Sequence, residues 1–302
     1  MDWRIRMTLL AILLTGCTLL VLVSCTTINN PELQSKLTLN NLIDGFSSPD
    51  VNDRANAAYW AGFYDLPDKA TLLPYLIQSL QEPDCGWDCS SVRSAAAQSI
   101  GQLGIYDEQA IEILISWLTE SGHSEDELLQ SIQTIDVFAR YAPDSSSSLV
   151  YIMISVPTSY PLHYQIQVAA ANALSKIGNP IALPYLLEIF LSSDEPIWVR
   201  KSIAISLARY GLDASCAIPS LVPILDSSVT DLRVSAAVII SQATENKFSN
   251  SEAENWDPDF LGSWKFDIQA TGEYSIVADA KNWWLETGQY MDWSEKNCVF
   301  PK

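Results

Sequence analysis

Two thiols four residues apart, in Cys85-Gly86-Trp87-Asp88-Cys89, are the residues of this chain whose type and spacing most readily suggest chemistry. Such a pair can close a disulfide, remain as free thiols, or take part in metal or redox chemistry. The usual zinc arrangement of paired cysteines needs a second pair further along, and none follows here. A disulfide is constrained by geometry. Cβ atoms at i and i+4 of a helix lie about 5–6 Å apart, whereas a disulfide requires about 3.5–4.5 Å. A bridge therefore implies a bulged turn with Trp87 at its tip and Gly86 easing the bend, and closing so short a loop would contribute ~2 kcal/mol.

Other reactive types are sparse or badly placed. His123 and His163 are the only histidines, and they lie far apart in unrelated contexts, so neither a His-rich metal site nor a Ser/His/Asp set can be assembled. Glu125-Asp126-Glu127 and Asp194-Glu195 read as turn or helix-start acids that favour the positive end of a helix dipole. An acid/base dyad would need burial that the sequence does not suggest. Ser145 to Ser148 is a short low-complexity loop. The chain is expected to be no enzyme, with no cofactor, no metal and no small-molecule substrate. With 17 Lys+Arg against 36 Asp+Glu the net charge is −19, so the surface repels phosphate backbones and nucleic acid is not an expected partner.

The compartment is written at the N-terminus. Arg4 and Arg6 form a basic start, and Met7 to Val23 is largely apolar, interrupted mainly at Thr15, Gly16, Cys17 and Thr18, the pattern of an export signal. Seventeen residues is the lower limit for a spanning helix, so an uncleaved anchor stays open. Leu22-Val23-Ser24-Cys25 resembles the bacterial lipobox, in which the cysteine after a small residue receives the lipid. Leu14-Thr15-Gly16-Cys17 fits the same pattern, but cleavage there would leave the apolar Thr18 to Val23 as the new N-terminus. The expectation is a signal peptide over 1–24, lipidation at Cys25 and a polar tether over 25–36, giving a protein held at the membrane and facing the extracytoplasmic side of the cell envelope. Removing Asp2, Arg4 and Arg6 moves the net charge from −19 to −20. In such a compartment, oxidation of Cys85 and Cys89 to a disulfide is the favoured outcome.

The elements that must carry these residues repeat along the chain. Val92-Arg93, Ile166-Gln167, Val199-Arg200 and Leu232-Arg233 each open an aligned segment with a small-residue cluster and apolar positions at three- and four-residue steps. Each is therefore an amphipathic helix. Gly104, Gly178 and Gly211 fall where a helix C-cap takes a left-handed residue. Asp53-Arg54 is a fainter first copy and Leu129-Gln130 a degenerate one. A second family precedes them: Leu73-Pro74-Tyr75-Leu76, Leu183-Pro184-Tyr185-Leu186 and Ile218-Pro219-Ser220-Leu221, in which proline is expected to kink the helix. From Arg54 through positions 93, 130, 167, 200 and 233 the steps are 39, 37, 37, 33 and 33 residues.

Two helices per step, with proline in the first and Val-Arg-x-x-Ala-Ala in the second, resemble the HEAT repeat. The resemblance covers about residues 37–246, in six repeats. It implies an all-α fold, a right-handed α-solenoid of stacked helix pairs offering an extended groove. It also implies that Arg54, Arg93, Arg200 and Arg233 support the turns through hydrogen bonds to neighbouring acids or carbonyls, a pattern from which Gln130 and Gln167 depart. Residues 247–302 break the repeat and read as an aromatic-rich cap. Within them a helix over 273–287 carries Trp283 and Trp284 which, with Trp293, either close the last repeat or offer a partner-binding patch. Cys216 reads as a small buried apolar residue or as the partner of Cys298 in the tail.

The leading reading is a lipid-anchored scaffold or adaptor for another envelope protein of basic or mixed character. Some HEAT proteins resemble phycobilin lyases, so a chromophore lyase or chaperone is an alternative, although those act in the cytoplasm; a purely structural envelope component is another. Thiol titration of the denatured, unreduced protein is expected to find neither Cys85 nor Cys89 reactive. Two free thiols at these positions would exclude the bridge.

Overall fold

Stacked helix pairs follow from the sequence because each pair has two apolar faces and can cover only one of them itself. The computed structural model describes residues 38–63, 68–83, 87–244, 246, 248 and 275–293. Among these residues the regular structure is helical, without strands. The pairs are α1 (Leu39–Phe46) with α2 (Val51–Phe63), α3 (Leu73–Leu80) with α4 (Trp87–Leu103), and α5 (Glu108–Trp117) with α6 (Glu125–Val137). Then follow α7 (Ser146–Ser155) with α8 (His163–Ile177), α9 (Leu183–Leu191) with α10 (Ile197–Arg209), and α11 (Ile218–Leu221) with α12 (Thr230–Thr244). A last helix, α13 (Ser275–Glu286), packs on α12. The protein is an all-α solenoid.

Each second helix lies on the second helix of the next pair, from α2 through α4, α6, α8 and α10 to α12, while each first helix lies against its own partner. The small residues expected to permit this are buried in the seam: Ala57, Ala58 and Ala61, then Ala96 and Ala97, Ala170 and Ala171, Ala204 and Ala208, Ala236 and Ala237. One continuous apolar core results, running from Leu42 to Ala280. The first two seams are also hydrogen-bonded. Ser99 Oγ donates to the Ala58 carbonyl at 2.5 Å and accepts from Gly62 N at 3.1 Å, and Thr134 Oγ1 donates to the Ala97 carbonyl at 2.7 Å.

The helix ends follow from local chemistry. Gly104, Gly178 and Gly211 have φ of +65°, +75° and +53°, the left-handed conformation that ends a helix. The prolines do not kink helices, contrary to the sequence-based expectation. Pro74, Pro184 and Pro219 are the second residues of α3, α9 and α11, each just after a 3-10 stretch (Lys69–Leu72, Pro180–Ala182 and Gly211–Ala217). A first-turn N–H has no intrahelical acceptor, so the missing donor costs nothing there. Trp87 likewise begins α4 and is not the tip of a turn, which makes Cys89 the third residue of the helix. The end of α13 brings Trp283, Trp284 and Trp293 together with Phe248. Ring centroids are 6.0 Å apart for Phe248–Trp283, 6.4 Å for Trp283–Trp284 and 6.2 Å for Trp284–Trp293, and all three tryptophans pack against the core.

The closest approach in the seam gives a direct test. A Cβ on Gly62 would stand 2.7 Å from Ser99 Cα, which is backbone and cannot swing aside. Gly62→Ala is expected to destabilise the chain by about 1–3 kcal/mol, read as a lower midpoint in urea unfolding; an unchanged midpoint would contradict the packing described.

Candidate functional site

The edge where first and second helices join carries a ladder of directed polar contacts. Arg54, in the first turn of α2, donates from Nη1 to the Ser48 carbonyl at 2.9 Å and makes a two-pronged pair with Glu82 of the next repeat, at 2.8 and 3.2 Å. Arg93 repeats the device one step on: Nη1 donates to the Glu82 carbonyl at 3.0 Å and Nε to Glu127. Gln167 reaches Glu195 at 3.5 Å. Arg200 donates to the Phe190 carbonyl at 2.7 Å, and Arg233 to the Ser227 carbonyl at 2.7 Å and Thr230 Oγ1 at 3.1 Å. These side chains lace each turn to its own helix pair and, where an acid follows, to the next.

Glu127 is the group that sequence reasoning missed. It was grouped with exposed helix-start acids, yet it is 0% exposed, and Arg93 is 5% exposed. Its position is set by a capping box: Ser124 Oγ accepts from Glu127 N at 3.2 Å, and Glu127 Oε2 accepts from Ser124 N at 2.7 Å. That signature, Ser-x-x-Glu, was present in the sequence; the burial was not, because it comes from the neighbouring repeat. His123 stacks on Trp117 at 5.0 Å, and its Nδ1 lies 3.8 Å from Glu127 Oε1, too long for a hydrogen bond but close enough for a charge contact when protonated. Burial alone would raise the Glu127 pKa. The His123 ring, the Arg93 hydrogen bond, the Ser124 N–H and the Arg93 charge together outweigh it and lower the value from 4.5 to about 2.

The same edge carries exposed apolar side chains over the fourth to sixth helix pairs. Trp198 is 49% exposed and meets Tyr164 edge-on at 5.9 Å; Tyr160, Ile197 and Val229 are exposed beside them. Asp194 and Asp231 are exposed in the same turns and helix starts, and Lys201 Nζ of α10 pairs with Asp231 Oδ2 at 3.3 Å. This is an apolar strip with a rim of mixed charge. By contrast, Trp283, Trp284 and Trp293 are half-buried, and the outward apolar groups of that end are Leu285, Tyr290 and Met291. Trp293 also donates from Nε1 to the Gly288 carbonyl at 2.9 Å.

Cys25 and Cys85 lie outside the described residues, as does the proposed Cys85–Cys89 bridge. Cys216 is not a buried apolar filler: it is half-buried in the 3-10 stretch Gly211–Ala217 and disulfide-bonded. Cys298, the alternative partner read from the sequence, lies outside the described residues. Among the described residues no group of histidine, cysteine and acid side chains could hold a metal, and no helix is long and apolar enough to cross a membrane.

With this geometry in view, a HEAT-repeat family profile matches residues 162–240, and the PBS lyase HEAT-like repeat profile matches residues 92–118. The chain carries HEAT repeats. The 162–240 match spans α8 to α12, and the 92–118 match takes in Arg93 and α5. Among solved structures, the chain resembles an engineered protein at 18% identity, with a TM-score of 0.49, over 68% of this chain and 95% of that one. It also resembles the complex of CpcE and CpcF of phycocyanin lyase from Nostoc sp. PCC7120 at 19% identity, with a TM-score of 0.47, over 86% and 92%. No protein of curated function matches.

The buried ion pair yields a prediction. Glu127→Gln leaves the Arg93 charge buried without its counter-charge, so a loss of about 3–5 kcal/mol in urea unfolding is expected, and Arg93→Met with Glu127→Leu should restore much of it. The folded pKa lies below the ordinary 4.5. The stabilisation is therefore full above that value and is lost as pH falls towards 2. Stability measured between those limits should fall more steeply for the parent than for Glu127→Gln.

Proposed function

We propose that this chain is a lipid-anchored, extracytoplasmic HEAT scaffold that docks a second protein along the turn edge of its later repeats. The observation that carries the docking reading is the exposed strip of Tyr160, Ile197, Trp198 and Val229, with half-buried Tyr164 edge-on to Trp198 and a rim of mixed charge. An amphipathic partner would place apolar anchors on Trp198 and a basic residue against Asp194, which suits a chain of net charge −19. Anchoring rests on the lipobox-like Leu22-Val23-Ser24-Cys25 at the end of an export signal. The disulfide at Cys216 supports an oxidising compartment.

A second reading draws on the PBS lyase HEAT-like repeat match over 92–118: a chaperone or lyase for a linear tetrapyrrole. Incubating purified protein with bilin separates the two, because that reading requires a shifted absorbance band and the scaffold reading does not.

In the native cell, labelled palmitate should enter the parent protein and not Cys25→Ala, which should leave the membrane fraction. An unlabelled parent, with Cys25→Ala still membrane-bound, would overturn the anchor. Crosslinking with mass spectrometry should give one dominant partner near residues 160–200, reduced about tenfold or more by Trp198→Ala; many partners unaffected by that change would favour a purely structural envelope component.

A further inference from the structure

The opposite edge, where second helices end, has different chemistry. The last turns of α2, α4 and α12 carry no basic residue. Around the ends of α6, α8 and α10, three consecutive repeats do: Arg140 follows α6, Lys176 is in the last turn of α8, and Arg209 ends α10. All three line one open cleft of about 430 Å³, with Asp136, Val137, Ala139 and Tyr141 as the remaining wall.

A cation near a helix C-terminus favours the negative end of the dipole, and for any one of these residues that would suffice. It does not account for their concentration. The whole chain has 17 basic residues against 36 acidic ones, yet this cleft has three cations and one carboxylate. That carboxylate is already engaged, with Asp136 Oδ2 accepting from Lys176 Nζ at 2.6 Å and Oδ1 buried. Arg209 is held in place, donating from Nη1 to Asn172 Oδ1 at 3.4 Å and Ser175 Oγ at 3.3 Å. Arg140 is exposed and has no ion pair among the described residues.

The wall also departs from the second-helix ends that close on glycine. Helices α4, α8 and α10 are followed at once, or after one residue, by Gly104, Gly178 and Gly211 in the left-handed conformation. After α6 the chain instead makes the 3-10 turn Ala139–Tyr141. This turn presents Arg140 and leaves the Tyr141 ring 63% exposed at the cleft, with Tyr106 5.1 Å behind it.

We propose that this cleft binds a compact organic anion, its carboxylate or phosphate between the guanidinium groups of Arg140 and Arg209 and its apolar body over Tyr141. Guanidinium groups suit either oxyanion, since both accept paired N–H donors, and the volume lies in the range of small-molecule sites. Compactness follows from the net charge of −19. A long polyanion would meet the acidic surface beyond the cleft, whereas a small one sees mainly groups within a screening length of about 8 Å. The site is independent of the turn-edge strip.

Isothermal titration at constant ionic strength, with inorganic phosphate, benzoate and phenyl phosphate as separate probes, tests the proposal on the whole chain. The expected result is saturable binding of at least one aromatic probe, weakened tenfold or more in Arg140→Gln, whose exposed side chain can change without unfolding the chain, and weakened less in Tyr141→Ala. Comparing benzoate with phenyl phosphate tells which oxyanion is preferred. Lys69→Gln, far from the cleft, should bind as the parent does. No saturable binding of any probe up to ten millimolar, or equal binding by parent and Arg140→Gln with matched circular dichroism, would overturn the proposal.

Discussion

A helix pair in this chain cannot bury both of its apolar faces, and everything else is arranged around that constraint. The second helices solve it by lying on one another in sequence, which requires small residues in the seam and leaves their turns stacked along one edge. Backbone carbonyls at those turns lose their helical donors and crowd together from successive repeats. Arginine suits the position because its fork of donors can serve a carbonyl of its own turn and a carboxylate of the next. Arg54 and Arg93 do both, and Arg200 and Arg233 serve carbonyls of their own helix pairs. The turn edge is therefore organised by hydrogen bonds at the same residues that mark the repeat in the sequence.

The two edges of the solenoid consequently differ. The edge at the intra-repeat turns is tied internally by its charges, so what it shows outward in the later repeats is apolar surface with Asp194 and the Lys201–Asp231 pair around it. At the ends of the second helices, glycine in a left-handed conformation closes α4, α8 and α10, and a 3-10 turn follows α6. The ties of this edge are fewer and of another kind, with Lys176 on Asp136 and Arg209 on Asn172 and Ser175, while Arg140 is exposed. An acidic protein that concentrates three of its cations on one edge and its exposed Trp198 on the other presents two surfaces of opposite complementarity on one rigid array.

Much of this was legible in the sequence. Alternation of Pro-containing and Val-Arg-containing segments at steps of 33 to 39 residues fixes the helix pairs, and the glycine positions fix three helix ends. What was not legible depends on contacts between repeats. Glu127 looks like any exposed helix-start acid, since Glu125 and Asp126 beside it are less buried; only the arrival of Arg93 from the preceding repeat covers it. Proline was placed correctly but given the wrong consequence, because its effect depends on whether it falls in a first turn, and the 3-10 stretches ahead of α3, α9 and α11 are not marked by apolar periodicity. The cleft of Arg140, Lys176 and Arg209 was invisible for the same reason: its residues are more than thirty positions apart and converge only when the ends of α6, α8 and α10 stack.

The departures from the repeat pattern fall together in the middle of the chain, and this has a mechanical consequence. Gln130 and Gln167 stand where the other repeats have arginine, and Gln130 Oε1, Gln167 Oε1 and Glu195 Oε2 are buried without a hydrogen-bond partner. Each unpaired buried polar atom costs about 1–3 kcal/mol. In a linear array, stability is a sum over neighbouring interfaces. The turns from the third to the fifth helix pair therefore lack the arginine–carboxylate tie that secures the first two joints. Other links are present there: Leu162 N donates to Glu125 Oε2 at 2.6 Å and Gln167 reaches Glu195 at the turn edge, and Lys176 bridges to Asp136 at the opposite edge. The cleft lined by Arg140, Lys176 and Arg209 spans the same joints on the opposite edge, so an anion held between the two guanidinium groups would add a tie across repeats whose turns lack the arginine–carboxylate pair.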